Sequence, residues 1–205
     1  MPRLALATSF GTPDVSLAAI VAGFRELDVQ ACALHRHPRP DELADLAPFA
    51  RRIPFVAVFG DGTGAQAGSP LLVTDGGAAP EDPEQREQAL EELCRRLHSL
   101  KWPAIALRTP TSASEFPAPH EIQLVHEALP KVGYWHDTAR NGEAHLEACG
   151  DAIRGASFDP FLFSDLRGLS SALGERTPAV VTLAPGVEPG MVKEGVACAR
   201  AVFRD

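Results

Sequence analysis

Three short stretches carry side chains able to move protons or hold charge. His35-Arg36-His37 sets two imidazoles beside a guanidinium. An imidazole titrates near neutral pH, so it can transfer a proton or bind an anion. Followed by Pro38, the triplet also reads as an ordinary solvated loop. Arg108 ends the apolar run Ala104-Ile-Ala-Leu107, where a fixed guanidinium could stabilise a developing oxyanion. His136-Asp137 ends the run from Lys131 to Trp135. Neighbours on a strand point to opposite faces, so these two form no automatic dyad. If Asp137 faces Arg108, a buried ion pair is one outcome. A ligand-binding role is the other, because charges at strand ends often mark a site.

Other candidates are weaker. Gly60 to Gly68 is glycine-rich, but it lacks the Gly-Lys-Ser/Thr ending of a P-loop and no helix follows. It reads as a connector replacing a helix, and Asp75-Gly-Gly77 reads as a turn. His98, His120, His126 and His145 fall on or near helices without zinc spacing, and are expected to pack or face solvent. No Gly-x-Ser-x-Gly elbow occurs, and no cysteine carries a nucleophile signature.

Positioning these residues falls to alternating apolar runs and amphipathic segments, the pattern of a parallel α/β fold. Strands are predicted over 4–8, 29–34, 55–59, 70–74, 104–107, 131–135, 152–158 and 179–183. The seventh is the weakest, because Arg154 and Gly155 interrupt it. Thr12-Pro13-Asp14 reads as the start of the first helix, with Leu17, Ile20, Val21 and Phe24 on one face. Further helices are predicted over 41–52, 82–100, 121–129, 141–149, 164–173 and 189–203. Asp82, Pro83 and Gln85 suggest a capping box at the one over 82–100. Nothing helical falls between the third and fourth strands. Eight strands with that crossover helix missing make a compact (β/α)8 TIM barrel, and a doubly wound sheet is the alternative. The usual barrel has ~250 residues, with ~200 at the short end, so 205 residues leave little room for insertions. One barrel domain over 1–205 is expected.

Composition narrows the partners. The formal charge is −8, from 27 acidic against 19 basic residues, and no basic run occurs. That argues against nucleic acid and against anionic membranes. No apolar run approaches the roughly 20 residues needed to span a bilayer, and the N-terminus lacks a signal peptide's apolar region. Cys32, Cys94, Cys149 and Cys198 are widely spaced. They read as small buried apolar residues in a reducing cytoplasm.

Several pieces together resemble the xylose isomerase-like sugar isomerase/epimerase family across nearly the whole chain. They are Leu72-Val-Thr-Asp-Gly76, the long helix after it, and Ala104-Ile-Ala-Leu-Arg108. Gly133-Tyr-Trp-His-Asp137-Thr138-Ala139-Arg140 is similar to the family's Asp-Thr-Gly-His turn, and Ala184-Pro-Gly-Val-Glu-Pro189 to its last turn. The resemblance implies a divalent cation held by Glu, Asp, His and Glu from strands five to eight. Here Arg108 stands at the first position and Asp137 at the second. The seventh strand offers no His, and the eighth offers Thr182 or Leu183. A hard cation needs several converging ligands, so no metal or other cofactor is expected, unless the correspondence is shifted.

On this reading the residues just past the strands face one mouth. His35, Arg108, His136 and Asp137 are the catalytic candidates. Ser9, His37, Asp75 and Asp159 are the substrate-binding ones. Two functions stay open: a barrel that binds a small anionic or sugar-like ligand or a partner, and a metal-independent isomerase or epimerase. Without a helix after the third strand, one sector of the wall would be bare, which makes a homodimer an expectation.

Overall fold

The computed structural model describes residues 2–12, 14–27, 29–64, 66–78, 80, 82–109, 116–175 and 177–203. Eight strands alternate with seven helices. They are β1 (Arg3–Ala7), α1 (Leu17–Gly23), β2 (Cys32–Leu34), α2 (Glu42–Ala50), β3 (Phe55–Phe59), β4 (Leu71–Asp75), α3 (Pro83–Ser99) and β5 (Ala104–Arg108). Then follow α4 (Pro119–Ala128), β6 (Val132–Asp137), α5 (Glu143–Cys149), β7 (Ile153–Phe158), α6 (Leu166–Ala172), β8 (Pro178–Val181) and α7 (Pro189–Phe203). Each strand pairs in parallel with the next, and β8 returns to β1 in the register Arg3↔Pro178 to Leu6↔Val181. That last pairing closes the barrel and removes the doubly wound alternative.

Side-chain caps open α1, α3 and α6. At α3 the Asp82 side chain accepts from the Glu84 amide, an ordinary N-cap. The first helix begins later than Thr12-Pro13-Asp14 suggests: Ser16 is its cap, accepting from the Ala19 amide at 3.3 Å, and Pro13 lies outside the described residues. The helix stripes fall on the strands' outer face, where Leu17, Val21, Leu97, Ile122 and Val196 pack with Leu6, Leu34, Leu72 and Ile105 in the main core.

The inner face is filled differently. Ala5, Ala7, Ala33, Ala57 and Ala106 lie in the inner cluster, where Trp135, its bulkiest side chain, packs with Leu71, Val73, Val180 and Phe59. Trp135 donates from Nε1 to Ser157 Oγ at 3.1 Å and meets Phe59 edge-on, with ring centres 5.3 Å apart. A Cβ on Gly155 would fall 2.3 Å from the Trp135 ring. The glycine that weakens the seventh strand as a sequence pattern is therefore what admits the tryptophan.

The sector without a crossover helix is not bare. Residues 60–64 and 66–69 belong to this sector, with Gly62 carrying φ +87°. A Cβ there would lie 2.8 Å from Leu72 and from Leu100. The Gly62 carbonyl accepts from Trp102 Nε1 at 3.3 Å. Val58 and Leu72 in this sector are fully buried by the chain itself. Among the described residues no helix is long and apolar enough to cross a membrane. Cys32 and Cys149 are buried as expected, but Cys198 is exposed, because it falls on the solvent side of α7.

Candidate functional site

Strand parity decides what reaches the mouth. Two residues beyond each inward side chain stands another that points the same way but lies past the packed interior. Ala7 is followed by Ser9, Ala33 by His35, Val73 by Asp75 and Ala106 by Arg108. Trp135 is followed by Asp137, and Ser157 by Asp159. All six of these later residues border one cavity of about 1020 Å³ at the strands' carboxyl ends, with His37, Asp61 and Thr182.

His136 has the opposite parity and is the exception among the sequence candidates. It is 1% exposed, away from the cavity, in the layer between strands and helices. Its ring lies 6.0 Å from that of Tyr134, and its Nδ1 has no hydrogen-bond partner among the described residues. Burial, with His145 nearby, pushes its pKa down to about 4. The structure does not bring it together with Arg108 and Asp137.

Arg108 is paired, but not with Asp137. Its Nε donates to Asp75 Oδ1 at 2.9 Å and its Nη2 to Asp75 Oδ2 at 3.0 Å. The reason is register: Asp75 sits directly beside Arg108 on β4, whereas on β6 the residue opposite Arg108 is Trp135. Asp137 lies two residues further and acts on Arg108 as a nearby charge. Its own contacts are Arg140 Nε at 3.3 Å and the Ala139 amide at 3.2 Å. The guanidinium also lies 5.8 Å over the Phe59 ring, and the Asp75 bond is the main cause of its raised pKa.

The two loop histidines do different things. His35 Nδ1 is hydrogen-bonded to the Thr8 hydroxyl at 2.6 Å, and that buried oxygen also accepts from the His35 amide at 3.1 Å. Burial first, and then the Arg36 charge, lower the His35 pKa, favouring the neutral ring. His37 is held by the glycine-rich loop: its Nε2 accepts from the Gly62 amide at 3.2 Å and lies 3.7 Å from Asp61 Oδ1. A Cβ on Gly64 would stand 2.4 Å from the His37 ring. The glycines therefore let a loop close over an imidazole. Ser9 donates to the Leu183 carbonyl at 3.1 Å, and Asp159 accepts from the Phe161 amide at 2.9 Å.

Sequence reasoning missed the group that holds the His35–His37 loop. Glu42, in the first turn of α2, is 3% exposed. It takes both ends of the Arg36 guanidinium at 2.7 Å and also accepts from the Arg39 amide at 2.9 Å and the Leu17 amide at 3.3 Å. Arg36 in turn donates to the His37 carbonyl at 3.0 Å. Bonding to Arg36 brings the Glu42 carboxyl down to about 2. A Glu in a helix's first turn ordinarily reads as a solvated charge favoured by the dipole, so its type and place gave no signal of burial.

The donors present do not fit the cation that the family resemblance implies. Among the described residues no three His, Cys, Asp or Glu side chains converge on one point. Around the mouth the four strand-end positions hold Arg108, Asp137, Ser157 or Asp159, and Thr182. Both Asp75 and Asp137 already have arginine partners.

No protein-family model matches the chain, and no curated protein matches it. Solved structures do. A 3-keto-D-glucoside 4-epimerase from E. coli superposes with a TM-score of 0.70 at 10% identity, covering 98% of this chain and all of that one. An AP endonuclease of family 2 from Brucella melitensis gives 0.66 at 14% identity, with both chains fully covered. A fusion of a xylose isomerase-like TIM barrel with 4-hydroxyphenylpyruvate dioxygenase gives 0.65 at 11% identity, covering 96% of this chain and 41% of that one. At such identities the likeness speaks for the fold alone, a closed (β/α)8 TIM barrel.

Proposed function

We propose that residues 1–205 act as one barrel domain that binds a small sugar-like or anionic ligand in its mouth, with Arg108 supplying the positive charge that a cation supplies elsewhere in the family. The observation that carries this is the Arg108–Asp75 pair in the cavity wall. A guanidinium fixed by a carboxylate on one edge still has donors to offer, and its planar fork suits carboxylate, phosphate and vicinal hydroxyl groups. Asp137, Asp159, Ser9 and His35 complete a polar bowl around it. Neighbouring folds include an enzyme that acts on a keto-glucoside, which agrees with a hydroxylated ligand.

The test is an amide-shift titration by NMR with D-xylose, D-glucose and D-ribose 5-phosphate. The proposal expects shifts at Arg108, Asp137 and His35 for at least one of them, weakened about tenfold or more in Arg108→Met, since a charged hydrogen bond is worth about 1.5–3 kcal/mol. No shift at the mouth with any of the three would reject it.

One observation favours a catalytic version of the same site, a metal-independent isomerase or epimerase. His35 is tethered to Thr8, has its pKa lowered by burial, and borders the cavity that Arg108 borders. A neutral imidazole can accept a proton from a carbon beside a carbonyl, and a guanidinium can stabilise the resulting enediolate. Exchange of that carbon's hydrogen in D2O, lost in His35→Gln with binding intact, is the result this version requires.

A further inference from the structure

The mouth is two-sided, and four of the five large apolar side chains exposed among the described residues stand at the end of the barrel where its uncharged side lies. Going round the rim from β2 to β6, the cavity wall is ionic: His35, Arg36, Asp61, Asp75, Arg108 and Asp137. From β8 to β1 it is made of Thr182, Leu183, Ala184, Ala7 and Ser9, none of them charged. Between these arcs, after β7, Asp159 and Leu162 border the cavity, and Leu162 is 83% exposed. Among the described residues the exposed large apolar side chains are Val15, Leu124, Phe161, Leu162 and Met191.

All but Leu124 stand at the mouth end of the segments that follow β7, β8 and β1. Val15 precedes α1, Phe161 and Leu162 follow β7, and Met191 is in the first turn of α7. Phe161 is seated beside α7, because a Cβ added to Gly195, one turn on from Met191, would meet its ring at 3.2 Å. Scattered single apolar residues need no explanation, but a group of them along one arc of a binding cavity marks a contact surface.

We infer that the ligand of this mouth is amphipathic: a polar, hydroxylated part in the ionic arc and an apolar aryl or alkyl substituent lying across Leu162 and Phe161. This rests on the mouth being a ligand site, as proposed above. The occupant of the apolar arc is the substituent of that ligand, because Leu162 is itself part of the cavity wall. A separate partner seated there would have to enter the cavity to cover it.

The experiment compares methyl and phenyl β-D-glucopyranoside, and methyl and phenyl β-D-xylopyranoside, by NMR titration of the whole chain. The phenyl glycoside of at least one sugar should bind about tenfold tighter than its methyl partner, about 1.4 kcal/mol, with shifts extending to Phe161 and Leu162. Leu162→Ser, at an exposed position that leaves the core intact, should remove that difference while sparing the methyl glycoside. Equal affinities with shifts confined to Arg108, Asp137 and His35 would overturn the inference and leave the ligand site standing. No binding by any of the four would also overturn the inference, while the ligand site itself stands or falls on the three sugars named above.

Discussion

His136 and Asp137 are adjacent on one strand, yet they belong to two electrostatic regions. On the inner face the charged groups are paired and within reach of water: the Arg108 and Asp75 side chains are 24% and 52% exposed. On the outer face, under the helices, ionisable groups are dry. Glu42 is 3% exposed, Glu121 6% and His136 1%. Glu121 repeats the Glu42 arrangement, taking Arg86 Nε at 2.6 Å and Nη2 at 2.8 Å. In the dry layer each group must be neutral or fully satisfied, because a lone buried charge is costly. In the mouth a group can be exchanged for another at small cost, which is how a wall can hold Arg108 where the family resemblance implies a carboxylate.

The largest effect should come from the dry layer. Glu42→Ala strands the Arg36 guanidinium and two backbone amides, and should cost about 3–5 kcal/mol in urea unfolding. A loss below about 1 kcal/mol would mean the carboxylate is solvated. The Glu42 carboxyl is lowered, so its stabilisation is complete above an ordinary glutamate pKa and drains away as pH falls towards about 2. Glu42→Gln should flatten that part of the acid profile.

A smaller effect is expected at His136. Its folded pKa of about 4 lies below the unfolded value, so the unfolded chain takes the proton first. Stability should therefore fall as pH drops below 6.5, by roughly 3 kcal/mol on reaching pH 4. Comparing unfolding of the wild type and His136→Phe at pH 7.5 and pH 4 isolates this contribution. Equal acid sensitivity in both would show that the ring is not held neutral.

The mouth pair should give the smallest effect. A double-mutant cycle of Arg108→Met with Asp75→Asn should show coupling of about 1 kcal/mol or less, since Asp75 is half exposed. The cycle of Arg108→Met with Asp137→Asn should show less still. Coupling above about 3 kcal/mol in either would place a dry ion pair in the mouth.

Most of the barrel was legible because its signals are local. The alternation of apolar runs gives the strands, and the span from Pro189 to Phe203 emerges as α7 with the same bounds. The absent helix after β3 follows from glycines. Which side of each strand faces inward was legible in principle: alanines alternate with larger residues in Leu4-Ala5-Leu6-Ala7, and Trp135 next to Gly155 follows only from the inner packing. The partner of Arg108 was not legible, because strand register is set by the closed sheet and not by any one strand. The role of His37 was missed for a similar reason, since the loop that encloses it lies 25 residues away. Glu42 gave no sign of burial, because its arginine partner comes from the neighbouring loop.

We propose that a guanidinium, and not a metal ion, supplies positive charge in this mouth. Elemental analysis of the purified chain, dialysed and then incubated with Mn²⁺, Mg²⁺, Zn²⁺ or Co²⁺ before a second dialysis, tests it most directly. The account predicts far less than one metal per chain, with no change in Asp137→Asn. About one metal per chain, lost in Asp137→Asn, would contradict it.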